Sequence, residues 1–196
     1  MSRLDGDQEL AEVAKSLNPM DSILTKHRTL TLFGEVNQDV SRRLSEKLLA
    51  LAYESDDPIT LYISSPGGHV ESGDTVFDLI RYIKPTVRTV GTGWVGSIAT
   101  HIYLAADKEH RYSLPNTRYL IHQPSGGFGG DASDIQIQAT EIVKTRERIN
   151  QIIADQTGQP LDRVTADTDR DYWMSAEESV EYGLVGKIIS SINDLD

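Results

Sequence analysis

The sequence predicts an α/β fold built on a largely parallel sheet, and three observations carry that prediction. From Thr29 onward, short runs rich in β-formers alternate with stretches whose apolar residues recur three and four positions apart. Glycine and proline punctuate the alternation at Gly34, Pro58, Pro66-Gly67-Gly68, Pro85 and Gly91-Thr92-Gly93. The chain has 196 residues, 38% of them hydrophobic, and no domain-scale linker, which suits one domain able to bury its own core.

The elements follow in order. Met1 to Ser16 is polar, with Leu10, Val13 and Leu17 at helical spacing, so it is a short helix or a mobile arm that Asn18-Pro19 ends. Thr29–Phe33 reads as a strand closed by Gly34. Asp39–Glu54 is a helix with Val40, Leu44, Leu48 and Leu51 on one face. Ile59–Ser65 is the next strand. Val70, Val76, Phe77, Ile80 and Ile83 mark a second amphipathic helix, stopped by Lys84-Pro85. Thr86–Val90 is a strand ending in Gly91-Thr92-Gly93, Ser97–Ala106 a mostly apolar and therefore central helix, and Arg118–Ile121 a strand ending at His122-Gln123-Pro124. Asp131–Thr157 then reads as one long helix with Ile135, Ala139, Ile142, Ile149 and Ile153 as its stripe and Gly158 with Pro160 as its stop. Such a helix rises roughly 40 Å, too far for a domain of this size to cover. It either lies across the domain or protrudes as an arm that packs on another subunit. Ser175-Ala176-Glu177-Glu178 is a capping box opening a last helix.

Composition narrows the function. With no cysteine, disulfides, thiolate metal sites and a cysteine nucleophile are excluded. Thirty acidic against nineteen basic residues, a net charge of −11, argue against nucleic acid as a partner. No apolar run approaches the ~20 residues of a membrane span, and the first thirty residues lack a secretory signal's apolar stretch. The expectation is a soluble cytoplasmic protein.

Ser97 sits where a glycine-rich turn gives way to a buried helix, a place that presents a hydroxyl to free N–H groups. Val95 and Ala99 stand where the Gly-x-Ser-x-Gly elbow has glycines, and a serine there is ordinarily an N-cap. As a nucleophile it needs a base. His122, closing the apolar strand Tyr119-Leu120-Ile121, is preferred; His101, one helical turn beyond Ser97, is the competitor, held awkwardly for proton transfer. Either is equally readable as a satisfied core histidine. Asp162, Asp167, Asp169 and Asp171 are the candidate orienting acids. Asp171 precedes Tyr172-Trp173-Met174, which should anchor it against the core. Gly67 and Gly68 follow a strand directly and offer bare N–H groups for an oxyanion, or a plain β-turn.

Together these pieces resemble the ClpP family, the proteolytic subunits of the caseinolytic (Clp) protease. The matches are Tyr62-Ile63-Ser64-Ser65-Pro66-Gly67-Gly68, the Gly-x-x-Gly-Ser97 turn, Leu114-Pro115-Asn116, Ile121-His122-Gln123-Pro124 and Gly126-Gly127. They continue through Thr157-Gly158-Gln159, Asp167-Thr168-Asp169-Arg170-Asp171 and Glu181-Tyr182-Gly183-Leu184-Val185. They run in order over about three quarters of the chain. The resemblance implies a crotonase-like spiral of strand–strand–helix units with a protruding long handle helix. It implies an N-terminal arm or axial segment at 1–28 and a single domain at 29–196, with the handle region at 123–159. It also implies an ATP-dependent serine endopeptidase, acting through a partner unfoldase to degrade unfolded proteins to short peptides inside a closed barrel.

By the same resemblance Ser97 is nucleophile, His122 base and Asp171 orienter, Gly68 and Ile98 supply the oxyanion N–H groups, and Gly126 and Gly127 bind the substrate as an added strand. Asp131, Asp134 and Arg170 would join two stacked seven-membered rings of this chain. Tyr62, Tyr82, Tyr112, Leu114 and Ile189 would line the cleft that docks a hexameric AAA+ unfoldase. No cofactor or metal is implied, and nothing resembles a Gly-x-x-x-x-Gly-Lys phosphate loop. The departures are an N-terminus unlike the axial loops, Thr60 and Thr92 in the docking cleft, His69 and Glu71 after the Gly-Gly, Ile98 in place of methionine, and His101 in place of an apolar residue. They fit a divergent paralogue that works beside a second subunit. The alternative reading is a regulatory or structural ring subunit with little activity of its own. A coenzyme-A hydratase or isomerase is disfavoured, since such enzymes have no need of the Ser–His–Asp set.

Overall fold

The computed structural model describes residues 19–127 and 129–195. The helix or arm expected over Met1 to Ser16 lies outside them. The first described element is a helix the sequence pattern does not announce, α1 (Pro19–Lys26), with proline at its first helical position, where a missing N–H is harmless. Lys47 donates to both oxygens of Asp21 at 2.5 and 2.6 Å, tying α1 to the next helix.

From there the alternation runs as expected: β1 (Thr29–Phe33), α2 (Gln38–Glu54), β2 (Ile59–Ser65), α3 (Val70–Tyr82). Asn37 caps α2 by accepting the Val40 N–H at 2.9 Å. The α2 stripe of Leu44, Leu48 and Leu51 is buried on the sheet. A side chain such as Leu48 contributes about 2 kcal/mol by leaving water. The strands pair in parallel in the order β1, β2, β3 (Val87–Gly96), β4 (Arg111–Ser113), β7 (Lys187–Ile188).

Strand β3 (Val87–Gly96) differs from expectation, running through Gly91-Thr92-Gly93 instead of stopping there. A register shift on β2 between Ile63 and Ser65 and a positive φ of 64° at Gly93 let the strand bend rather than break. Its first half pairs with β4 (Arg111–Ser113) and its second half with β5 (Arg118–Ile121). The short buried helix α4 (Ile98–Tyr103) follows β3 directly and precedes β4 in the chain.

The handle helix α5 spans Ala132–Thr157, with Asp131 at its N-cap and Gly158 at φ 77° ending it. It is 26 residues long, so it rises about 39 Å. Only its last third is buried, through Ile149, Asn150, Ile153, Ala154 and Thr157. Residues 131–141 are exposed all round, Ile135 and Ile137 included, so within the chain the helix protrudes. The remainder is α6 (Leu161–Asp167), β6 (Tyr172–Met174), α7 (Ala176–Tyr182), opened by the expected Ser175–Glu178 capping box, and β7 (Lys187–Ile188). Arg111 is fully buried and donates to Ala106 O, Gln156 O and Leu184 O, fastening the foot of α5 to β4. No helix among the described residues is long and apolar enough to cross a membrane.

Candidate active site

Ser97 joins the end of β3 to α4 with φ 56° and ψ −128°. Among the described residues only it and Arg28 are non-glycine with positive φ. Such a conformation persists only where the surroundings enforce it. The Ser97 N–H donates to Leu120 O at 2.9 Å, and Thr100 Oγ1 lies 3.0 Å from both Val95 O and Leu120 O. Gly67, at φ 94°, packs so closely that a Cβ there would lie 2.7 Å from Gly96 O and Ser97 Cβ. This strained strand-to-helix turn has the backbone geometry of a nucleophile elbow, although Val95 and Ala99 replace the glycines of that motif. Ser97 occupies the N-cap position, yet its hydroxyl makes no capping bond. It meets His122 Nε2 at 2.8 Å instead.

His122 directly follows β5, and the antiparallel pairing of β5 with β6 (Tyr172–Met174) sets Ile121 against Tyr172. One step further along that register puts His122 opposite Asp171. Their side chains meet, Nδ1 to Oδ1, at 2.8 Å. Gln123 reinforces the pairing, its N–H donating to Thr168 O and its side-chain amide to Asp169 O, both at 2.6 Å. The expected anchor against the core is made by Tyr172, packed on the core and against Tyr182, and by buried Met174, whereas Trp173 stacks on Trp94 at the exposed surface with Arg118 over it. The His122 side chain is 28% exposed and that of Asp171 64%, so the site opens to solvent on the carboxylate side.

Two grooves meet at Pro124–Gly126. One runs past His122, Asp171 and Arg170, and the other past Gly68, His69 and Glu71; Ile142 of the handle lines both. Among the described residues, no acceptor takes the N–H groups of Gly68 and Ile98. Gly67 brings their two loops together, its Cβ position lying 3.0 Å from Ile98 N. No group of three or more histidine and carboxylate side chains among the described residues is arranged to hold a metal.

A model of the family described as Clp protease matches residues 12–192. The chain belongs to the Clp protease family. It is 50% identical over 194 residues to the ATP-dependent Clp protease proteolytic subunit 3 of Rhizobium meliloti, covering 98% of this chain and all of that one. It is 52% identical over 170 residues to proteolytic subunit 2 of Pseudomonas aeruginosa, covering 87% and 85% of the two chains. Its structure superposes on ClpP1 from Listeria monocytogenes with a TM-score of 0.82 at 49% identity, covering 90% of this chain and 99% of the other. The kinship bears out the α/β fold and supports peptidase activity.

Within this Clp-family chain, His101 is not bonded to Ser97. It is 2% exposed, stacks on Phe77 with ring centroids 4.3 Å apart, and brings Nε2 to 3.2 Å from Asp74 Oδ1. Asp74 also receives Arg148 of the handle at 2.8 and 2.7 Å. Burial, the largest single influence, pushes the Asp74 carboxyl up. The hydrogen bonds and charges of His101 and Arg148 together outweigh it and hold Asp74 at about 2. His69 caps α3 by accepting the Ser72 N–H and lies 3.3 Å from Glu71.

The docking-cleft residues divide. Tyr112 and Ile189 are buried together with Val90, and Tyr62 and Leu114 pack on them, whereas Tyr82 stands apart, 81% exposed. Arg170, Asp131 and Asp134 are exposed and form no ion pair with one another within the chain. Gly126 borders both grooves, and Gly127 has open space around it. Sequence reasoning missed Asp74 and Arg148. Their only signal was a carboxylate on one helix face and a guanidinium on another, which no spacing rule connects.

Proposed function

We propose that the chain is a serine endopeptidase in which Ser97 is the nucleophile, His122 the general base and acid, and Asp171 the group that orients the imidazole. The observation that carries this reading is the unbroken pair of 2.8 Å hydrogen bonds from Ser97 Oγ through His122 to Asp171. With Asp171 accepting from Nδ1–H, Nε2 faces the hydroxyl as an acceptor. It takes the Ser97 proton as Oγ attacks a peptide carbonyl. The oxyanion that forms is met by the unpaired N–H groups of Gly68 and Ile98. The tetrahedral intermediate collapses as His122 passes the proton to the leaving amine, giving an acyl-serine and a free amino terminus. Water, deprotonated by His122, then cleaves the ester and restores Ser97.

The substrate is an extended, unfolded polypeptide. It lies in the two grooves and pairs with the backbone of Gly126 and Gly127 beside the handle, a mode that reads main chain more than side chain. Such an activity calls for seclusion. The exposed Ile135, Ile137 and Val143 of the handle support its burial against a second copy of the chain. We infer stacked seven-membered rings joined through Arg170, Asp131 and Asp134, with a second ClpP-type subunit as a further ring partner. A hexameric AAA+ unfoldase would dock where Tyr62, Tyr112, Leu114 and Ile189 of one copy adjoin Tyr82 of the next, with residues 1–28 as the axial segment and the cytoplasm as the compartment. The test is covalent labelling by a serine-directed fluorophosphonate together with peptide hydrolysis. Ser97→Ala should lose both while keeping its assembly; a variant that still labels refutes the assignment.

A further inference from the structure

Both tryptophans of the chain stand together on a surface that the mechanism above does not use. Trp94 of β3 and Trp173 of β6 stack with ring centroids 5.8 Å apart and planes 14° from parallel. The guanidinium carbon of Arg118, on β5 between those strands, lies 4.5 Å from the Trp173 ring centroid. Strand register fixes where this cluster sits. Trp94 pairs with Arg118, Gly96 with Leu120, and Leu120 with Trp173. Alternation along a strand then puts Arg118, Leu120 and His122 on one side of β5, and Asp171 and Trp173 on the same side of β6. One side of this sheet therefore carries the His122–Asp171 pair at one end and the Trp94–Trp173–Arg118 cluster at the other, with buried Leu120 between them. The indoles are 38% and 37% exposed, and Arg118 is exposed as well. Covering Leu120 uses ring area alone and leaves the guanidinium fork unused. Among the described residues Arg118 has no carboxylate partner, and its side chain donates no hydrogen bond.

We propose that this cluster is a substrate subsite on the leaving side of the scissile bond. The polypeptide beyond the bond runs over the indole pair, and Arg118 takes the carboxylate of a glutamate or aspartate about four residues after the bond. The inference rests on the serine-peptidase reading, in which His122 protonates the leaving amine, so the segment carrying that amine departs on the imidazole side. Arg118 stands four positions before His122, about 13 Å along the strand, and an extended peptide covers that span in about four residues. A guanidinium stacked on an indole is held in one plane and presents paired N–H donors, the geometry that a carboxylate matches. An ammonium would be repelled there, and a neutral side chain gains only the ring surface. The chain's net charge of −11 otherwise disfavours acidic segments, so one unpaired guanidinium decides where such a segment is accepted.

The experiment uses the assembled full chain. Internally quenched peptides with a single cleavage position, confirmed by mass spectrometry, carry Glu, Gln or Lys at the fourth residue after the bond. The wild type should cleave the Glu peptide with a KM about fivefold below that for Gln, the size of a well-placed exposed ion pair, and with similar kcat. The advantage should shrink between about 50 mM and about 0.5 M salt as screening grows. Arg118→Gln should bring the Glu and Gln peptides to one KM. Arg118→Glu should make the Lys peptide the best of the three, an inversion that a purely structural role would not produce. Because Trp94 and Trp173 are the only tryptophans, their emission reads occupancy without turnover. In Ser97→Ala the Glu peptide should change that emission at a lower concentration than the Gln peptide does. A wild type that labels at Ser97 but gives equal KM for Glu and Gln, as it would with the cluster covered by a neighbouring copy, overturns the inference and leaves the peptidase standing. An Arg118→Glu variant that still prefers Glu overturns it too. A wild type that neither labels nor cleaves any of the three peptides overturns the peptidase reading and this inference with it.

Discussion

Replacing Asp171 by asparagine tests the proposal that His122 acts as a base served by an exposed carboxylate. In the proposed mechanism His122 takes the Ser97 proton, and the imidazolium would then sit against Asp171, with Nδ1 and Oδ1 2.8 Å apart. Taking about 4 Å between charge centres, the attraction is about 1 kcal/mol in a water-like medium and about 4 kcal/mol at an effective dielectric constant of 20. The Asp171 side chain is 64% exposed and that of His122 28%, so the value belongs in the lower half of that range, about 2 kcal/mol. An amide at 171 can also donate to Nδ1 and favour the tautomer that turns a proton toward Ser97, which deepens the loss. Asp171→Asn should therefore lower kcat about 30- to 100-fold and leave KM nearly unchanged, because the carboxylate acts on charge that develops only during reaction. Initial rates on a short fluorogenic peptide, normalised to fluorophosphonate-titrated sites, measure it. A kcat within threefold of wild type would refute Asp171 as the orienter. A loss of about four orders of magnitude would refute the argument from exposure, since only a desolvated carboxylate is worth so much.

Three further outcomes are expected. Asp74→Asn should destabilise the fold at neutral pH by about 2 kcal/mol, because the carboxyl is lowered from 3.8 to about 2 in a side chain that is mostly buried. A group so depressed stabilises the folded state above its ordinary value and loses that contribution as pH falls through about 2. Urea denaturation should therefore show the wild-type advantage at pH 7 and its disappearance near pH 2, and equal stability at pH 7 would contradict the reading. Gly67→Ala combines a positive φ with a Cβ 2.7 Å from Ser97 Cβ, so fluorophosphonate labelling should slow at least about tenfold, and an unchanged rate would count against the packed elbow. Arg170→Ala should weaken the assembly, read as a smaller species in sedimentation; an unchanged sedimentation profile would remove Arg170 from the proposed junction.

Much of this arrangement was legible in the residues because periodicity was strong where the core is thick. Thr29–Phe33, Ile59–Ser65 and Arg118–Ile121 agree with the structure at both ends. Val87–Gly96 does not, since Gly93 bends a strand that composition alone would end. Arg111–Ser113, Tyr172–Met174 and Lys187–Ile188 are two or three residues long, too short for an alternation to register, and they exist because longer strands offer them an edge. The meeting of Ser97, His122 and Asp171 was expected, but the reason Asp171 reaches His122 is the register of β5 against β6, which a one-dimensional pattern does not contain. Asp74 was illegible for a related reason: its partners come from α4 and α5, and neither lies at a helical interval from it.

One wall of the cavity beside Ser97 and the protruding arm belong to the same helix. Ile149 and Ile153 form the wall nearest the body, and Arg148, one residue earlier, clamps the carboxylate that faces His101. Beyond Arg148 toward the N-terminus the helix leaves the domain and exposes Val143, Ile137 and Ile135. A helix is stiff over this length, so a contact that seats its free end on another copy also sets the angle at which its foot enters the domain. The Arg148–Asp74 pair lies at the pivot. It orients His101 from outside the cavity while the aliphatic side chains of the next turn close the cavity from within. An arm held in one place by a neighbour therefore also holds the foot of the helix, where the Arg148–Asp74 pair is the ion pair that ties it to α3.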